Sequence, residues 1–243
     1  MTAIGQITFT GGGDSVATFS LADLFNMWGE QKATEAYSPD EINTDTVKTI
    51  MDAIAGATLT CFSDLPSHTI TYDSGYDDSI INSFTPKDHF SIAKGESRLA
   101  AFKKVLAYTK CKCKVRNDSG TATIHVFQPT TTGETYDYEY NDAIAADNHN
   151  FFSKSVRTRL VLPNKVTVMN HPDHDDSYTG SATDDDSYTA LGDQYYPEVV
   201  YARPASNAQA LLIATAILQR YQLATEKGSL RTDELRSRVL RLR

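Results

Sequence analysis

The chain has 243 residues, 40% hydrophobic and 22% charged, so it can bury a sizeable core and does not have a disordered composition. Its 31 acidic residues outnumber 23 basic ones, and the resulting formal charge of −8 argues against broad, sequence-independent binding of nucleic acid. Three cysteines exclude a fully paired disulfide framework within the chain.

The first residues, Met1 to Gly5, lack a basic segment followed by an apolar one, so no secretory leader is expected. The longest strongly apolar run, Ala210 to Leu218, is shorter than the roughly 20 residues a bilayer span needs. The expectation is a chain made in the cytoplasm with no membrane insertion.

In chain order, Ile4 to Thr10 and Val16 to Phe19 read as strands around the turn Gly11 to Asp14. Leu21 to Ala33 reads as a helix capped by Ser20, with Leu24, Phe25, Met27 and Trp28 apolar. A second helix, Asp45 to Ala55, carries the stripe Val47, Ile50, Met51 and Ile54; Thr44 or Asp45 caps it and Gly56 ends it. Thr58 to Phe62 and His68 to Tyr72 read as strands, and Asp73 to Lys87 as a polar, irregular stretch.

The most informative segment runs from Lys94 to Pro129. Leu99, Phe102, Leu106 and Thr109 recur at three and four residues, the spacing of one helix face, while Arg98, Lys103, Lys104 and Lys110 point elsewhere. A hairpin follows, with Cys111, Cys113 and Val115 on one side of its first strand. Asn117 to Gly120 is the turn, because Asn, Asp and Gly tolerate positive φ. In the return strand Ala122, Ile124 and Val126 alternate with Thr123, His125 and Phe127, which makes His125 a surface or edge residue.

Tyr136, Tyr138 and Tyr140 alternate with Asp137 and Glu139, as in a half-buried strand. After a connector at Ala143 to Asn150, strands are expected at Val156 to Leu162 and Lys165 to Met169, separated by a turn at Pro163 and Asn164. His171 to Asp193 holds seven aspartates and no Lys or Arg, and Asp175 to Thr179 recurs as Asp185 to Thr189. Such a tract reads as a long exposed loop or hairpin. Val199 to Ala202 is a short strand. Ser206 or Asn207 caps a helix from Ala208 to Thr225 that is apolar on most sides, and Gly228 ends it. The tail, Leu230 to Arg243, is basic, with Leu235, Val239 and Leu242 forming the stripe of a last helix.

Little here carries covalent chemistry. No Gly-x-Ser-x-Gly elbow, phosphate-binding loop or Cys/His signature occurs, and the chain reads as a non-enzyme without a cofactor. The acidic tract offers oxygen ligands, and Asp175, Asp184, Asp185 and Asp186 are the calcium candidates, although their spacing is not that of an EF-hand and a solvated loop is the plainer reading. His171 and His174 flank the tract in a Pro-containing loop, a sparse pattern for zinc. Cys111 and Cys113 read as reduced, partly buried thiols.

From about Val47 to Leu230 the order of features resembles the baseplate hub proteins of phage tails and related contractile injection machines. The resemblance rests on the helix from Gly95 to Lys110, the hairpin from Cys113 to Gln128, the segment Asn164 to Val168, and the Ala-rich helix from Ala205 to Gly228 with Tyr221 near its end. Family members usually continue into more strands that close a tube-like barrel, where this chain has a short Arg-rich tail.

The resemblance implies a structural component of the virion, a homo-oligomeric ring, most simply a homotrimer, that joins tail tube to spike or tip. Its partners would be other copies of the chain and tail tube, spike or tape-measure proteins. Leu211, Leu212, Ile217, Tyr221, Arg236 and Arg241 are the candidate interface residues. Two other classes stay open: an acidic, calcium-dependent binding module at a tail tip or cell surface, and a cell-wall hydrolase.

The fold class expected from the pattern is α+β, with antiparallel sheets or split β-barrels and packed helices. Two regions are expected. Residues 1–129 hold the helix–hairpin unit, and residues 130–243 form a second β-rich region with the acidic insert 171–193 and the C-terminal helices.

Overall fold

A computed structural model describes residues 2–9, 15–74, 76, 78–118, 120–129, 151–158, 162–174, 177–222 and 226–232. The tyrosine alternation at 136–140, the connector at 143–150 and the tail beyond 232 lie outside the described residues, as do Asp175, Asp176, Arg236 and Arg241.

The chain is α+β, as expected. Strands β1 (Thr2–Phe9) and β2 (Ser15–Ala22) pair as an antiparallel ribbon. Helix α1 (Leu24–Glu30) follows at once. Its cap is Asp23, which accepts from the Asn26 amide at 2.8 Å, and not Ser20, because β2 runs on to Ala22. Helix α2 (Val47–Ala55) is capped by Thr46 and ends at Gly56. The expected strand at 58–62 is a short 3-10 turn at Thr60–Phe62 that drops Cys61 and Phe62 into the core. Its tight i,i+3 geometry suits a chain reversing direction after α2.

Strand β3 (Ile70–Tyr72) and the short helix α3 (Asp78–Ile81) come next. Helix α4 (Arg98–Leu106), capped by Ser97, leads into the hairpin β4 (Lys112–Asp118) and β5 (Thr121–Phe127). Asp118 pairs with Thr121 across the turn, where Gly120 has φ +87°, a conformation open to glycine at no steric cost.

The β3-β5-β4 sheet is mixed, with β3 parallel and β4 antiparallel to β5, so the expectation of purely antiparallel pairing needs correction. β5 is therefore the central strand, and residues Thr123, Ile124, His125 and Val126 are all buried. His125 is thus an interior residue, contrary to the alternation reading.

In the second half, β6 (Phe151–Thr158) pairs antiparallel with β10 (Glu226–Thr232) as another two-stranded ribbon. Gly228 lies inside β10 and does not end a helix. β7 (Lys165–Met169) sits between β8 (Thr179–Thr183), antiparallel, and β9 (Pro197–Tyr201), parallel. The acidic tract thus supplies β8, the short helix α5 (Asp185–Ala190) and the turns around them. Among the described residues no barrel closes.

Helix α6 (Asn207–Gln222) lies across the β8-β7-β9 sheet. Gly180 in β8 makes this possible, since a Cβ there would stand 2.2 Å from the Leu211 amide nitrogen. One contiguous buried cluster runs from Leu24 and Trp28 through Phe62, Phe84, Phe90, Phe102 and Val126 to Val166, Val168, Ile213 and Leu218. Each such large side chain contributes about 1.5–3 kcal/mol by leaving water.

Candidate functional site

Three features have chemical content: a buried arginine, a histidine cluster, and an apolar outer surface. Arg98 opens α4 and is fully buried, although its charge suggested a surface position. Among the described residues it meets no carboxylate. Its guanidinium donates to the carbonyls of Ile54 at 2.9 and 2.7 Å, Ala55 at 2.7 Å and Pro66 at 2.8 Å, and to Gln31 Oε1 at 2.9 Å. Ile54 and Ala55 end α2, so a fixed cation sits on the negative end of that helix. The Trp28 ring covers the guanidinium at 4.4 Å. Burial lowers the Arg98 pKa to about 10, still far above neutrality. This constellation ties α1, α2 and α4 together and is structural.

The histidine cluster joins distant parts of the chain. Asp88 and His89 lie on the connection between α3 and α4, and His171 and His174 on the connection between β7 and β8. One ligand atom each from Asp88, His89 and His174 falls within 4.8 Å of the others. His174 Nε2 is 3.3 Å from Asp88 Oδ2. Arg203, just after β9, donates to that same Oδ2 at 2.9 Å and reaches Glu41 at 3.2 Å.

The other oxygen, Asp88 Oδ1, is buried without a hydrogen-bond partner among the described residues, and so is His89 Nε2. The His89 ring lies 5.1 Å from that of His174 and 5.4 Å from that of His171. His171 in turn contacts Asp173, at 3.0 Å, and the Tyr201 ring.

Burial pushes the His89 pKa down, and the neighbouring His174, His171 and Arg203 add to this against the pull of Asp88. Burial alone would raise the Asp88 carboxyl. The hydrogen bond and charge of Arg203, with His174 and His89 beside it, outweigh that and hold it below the ordinary range.

The calcium candidates are placed differently. Asp184 caps α5: its Oδ1 accepts from the Ser187 amide at 2.9 Å and its Oδ2 from Gln222 Nε2 at 2.8 Å. Asp185 and Asp186 are exposed in the first turn of that helix, where a carboxylate favours the positive helix end. Asp175 lies outside the described residues. The sequence offered His171 and His174 as a sparse pair but gave no hint of Asp88 and His89, which are remote in the chain.

The outer surface of the β8-β7-β9 sheet is the third feature. Val199 and Tyr201 alternate outward from β9, and Tyr195 and Tyr196 precede them, all exposed. Of the candidate interface residues, Leu211 and Leu212 are 46% and 43% exposed on α6, whereas Ile217 faces the core. Tyr221 is half-buried and its hydroxyl donates to Glu198.

The described residues contain no helix long and apolar enough to cross a membrane. No protein-family model matches the chain, and no curated protein matches it.

Proposed function

We propose that the chain acts by assembly, as a structural component of a phage tail baseplate or tail-tip hub that forms a ring between tail tube and spike or tip. The observation that carries this reading is the pair of isolated ribbons. β1–β2 and β6–β10 each pair only with themselves among the described residues, leaving hydrogen-bonding edges open on both sides.

A two-stranded ribbon is marginal alone in water and gains from pairing with further strands. Neighbouring copies in a ring supply such strands, and a closed ring leaves no edge exposed. The outward Val199, Tyr201, Leu211 and Leu212 add apolar area for the same purpose. The order of motifs from Val47 to Leu230 supports the choice of a tail hub among assembling proteins.

The test is the mass of the full chain in solution, alone and mixed with tail tube and spike proteins. A trimer or larger ring, or a stable complex with those components, is expected. A strictly monomeric chain that ignores them overturns the reading.

A further inference from the structure

We propose that Asp88, His89 and His174 form a binding site for a first-row divalent transition-metal ion, zinc in particular, which staples the α3–α4 connection to the β7–β8 connection. The inference stands on this cluster and not on the assembly reading.

Two buried ligand atoms have nothing else to do. Asp88 Oδ1 and His89 Nε2 lack hydrogen-bond partners among the described residues, and an unpaired buried polar atom costs about 1–3 kcal/mol. A cation bound by both atoms would remove both penalties. Two imidazoles and one carboxylate are a donor set that suits zinc and its neighbours; calcium and magnesium prefer oxygen ligands throughout.

The spacing also fits. With metal–nitrogen bonds of about 2.0–2.1 Å and tetrahedral angles, the centroids of two ligating imidazoles stand about 5 Å apart. The His89 and His174 rings are 5.1 Å apart. His174 Nε2 lies 3.3 Å from Asp88 Oδ2, the oxygen that Arg203 also holds, which sets this ring beside the carboxylate whose Oδ1 is free. The three ligand atoms lie within 4.8 Å of one another, wider than the donor spacing around a bound ion, so binding requires a side-chain shift.

Arg203 does not compete for the ion's position. It holds Asp88 Oδ2 and leaves Oδ1 free, so it orients the carboxylate as an outer-shell partner does. Glu41 on the far side of Arg203 offsets its charge. The His171 ring lies 5.4 Å from that of His89.

The full-length chain, stripped with a chelator, is titrated with zinc chloride by calorimetry and with cobalt(II) chloride by visible absorption. One ion per chain is expected, with the spectrum of four-coordinate cobalt and no sulfur charge-transfer band. Affinity should fall by more than about 100-fold in His89→Ala and His174→Ala, beyond the usual cost of losing an outer-shell partner. Cys113→Ser should bind as the parent does.

The His174 ring is partly exposed on a connection between strands, so its removal tests the site if His89→Ala does not fold. Ring-nitrogen NMR of the unaltered chain needs no substitution: the imidazoles of His89 and His174, among the six histidines, should shift on adding zinc. No stoichiometric binding, binding that survives both histidine substitutions, absence of imidazole shifts, or an equal response to calcium chloride overturns the proposal.

Discussion

Arg98 shows how a charged side chain can be interior with no acidic partner among the described residues. Five donated hydrogen bonds spread its charge over the end of α2, Pro66 and Gln31, and Trp28 closes the remaining side. Lysine has the charge but not the planar fork, so Arg98→Lys strands several of those carbonyls. The expected loss is about 3 kcal/mol, read from the midpoint of urea unfolding. His68 sets a second residue-scale expectation. Its Nδ1 accepts from Trp28 Nε1 at 3.3 Å, which requires the neutral ring. Burial, then the charge of Arg98, lowers its pKa in the folded chain. The unfolded chain therefore binds the proton more readily. The stabilisation is complete above pH about 6.5 and is lost as pH falls through the lower folded value. Unfolding free energy measured from pH 8 to 5 should decline, and His68→Gln should flatten that decline. Neither residue's role was legible in the sequence. The helical spacing at 98–110 placed Phe102 and Leu106 inside correctly, but one cycle of periodicity cannot tell a solvated arginine from one whose carbonyl partners lie more than 30 residues away.

Elements with a strong local code were readable. The α4 helix, the β4–β5 hairpin, β7 and α6 follow from apolar spacing, caps and a Gly-containing turn, all set by neighbours in the chain. The misreadings share a cause. The short turn at Thr60–Phe62 and the end of β2 at Ala22 are decided by what the segment packs on, and alternation is equally consistent with other states. Parallel pairing of β3 with β5 and of β7 with β9 leaves no local mark, since register across a long connection is a tertiary matter. Gly180 gives the clearest element-scale prediction. Gly180→Ala puts a methyl against the backbone of Ala210 and Leu211, which cannot move without lifting α6 off β8. A loss of about 3 kcal/mol or more is expected, seen as a lower thermal midpoint. Thr179→Ala, one residue earlier on the exposed side of the same strand, should change stability by no more than about 0.5 kcal/mol.

For the whole molecule, the proposed ring ties the open ribbon edges to the apolar outer surface. Replacing Val199 and Tyr201 together by aspartate alters exposed positions, so the thermal midpoint of the isolated chain should hold. Self-association measured by sedimentation should weaken at least about tenfold if this surface is buried between copies. An unchanged association constant would remove the surface from the interface. Amino-acid order alone was enough for the α+β class, a core large enough to fold, the main helices and the local hairpin, because periodicity, capping and turn chemistry act over a few residues. Folding in three dimensions was needed to bury Arg98 on a helix end, to make β5 a central strand around His125, and to bring Asp88 and His89 against His174. Those outcomes depend on distant segments meeting, and the free energy of such contacts is invisible until the chain has closed on itself.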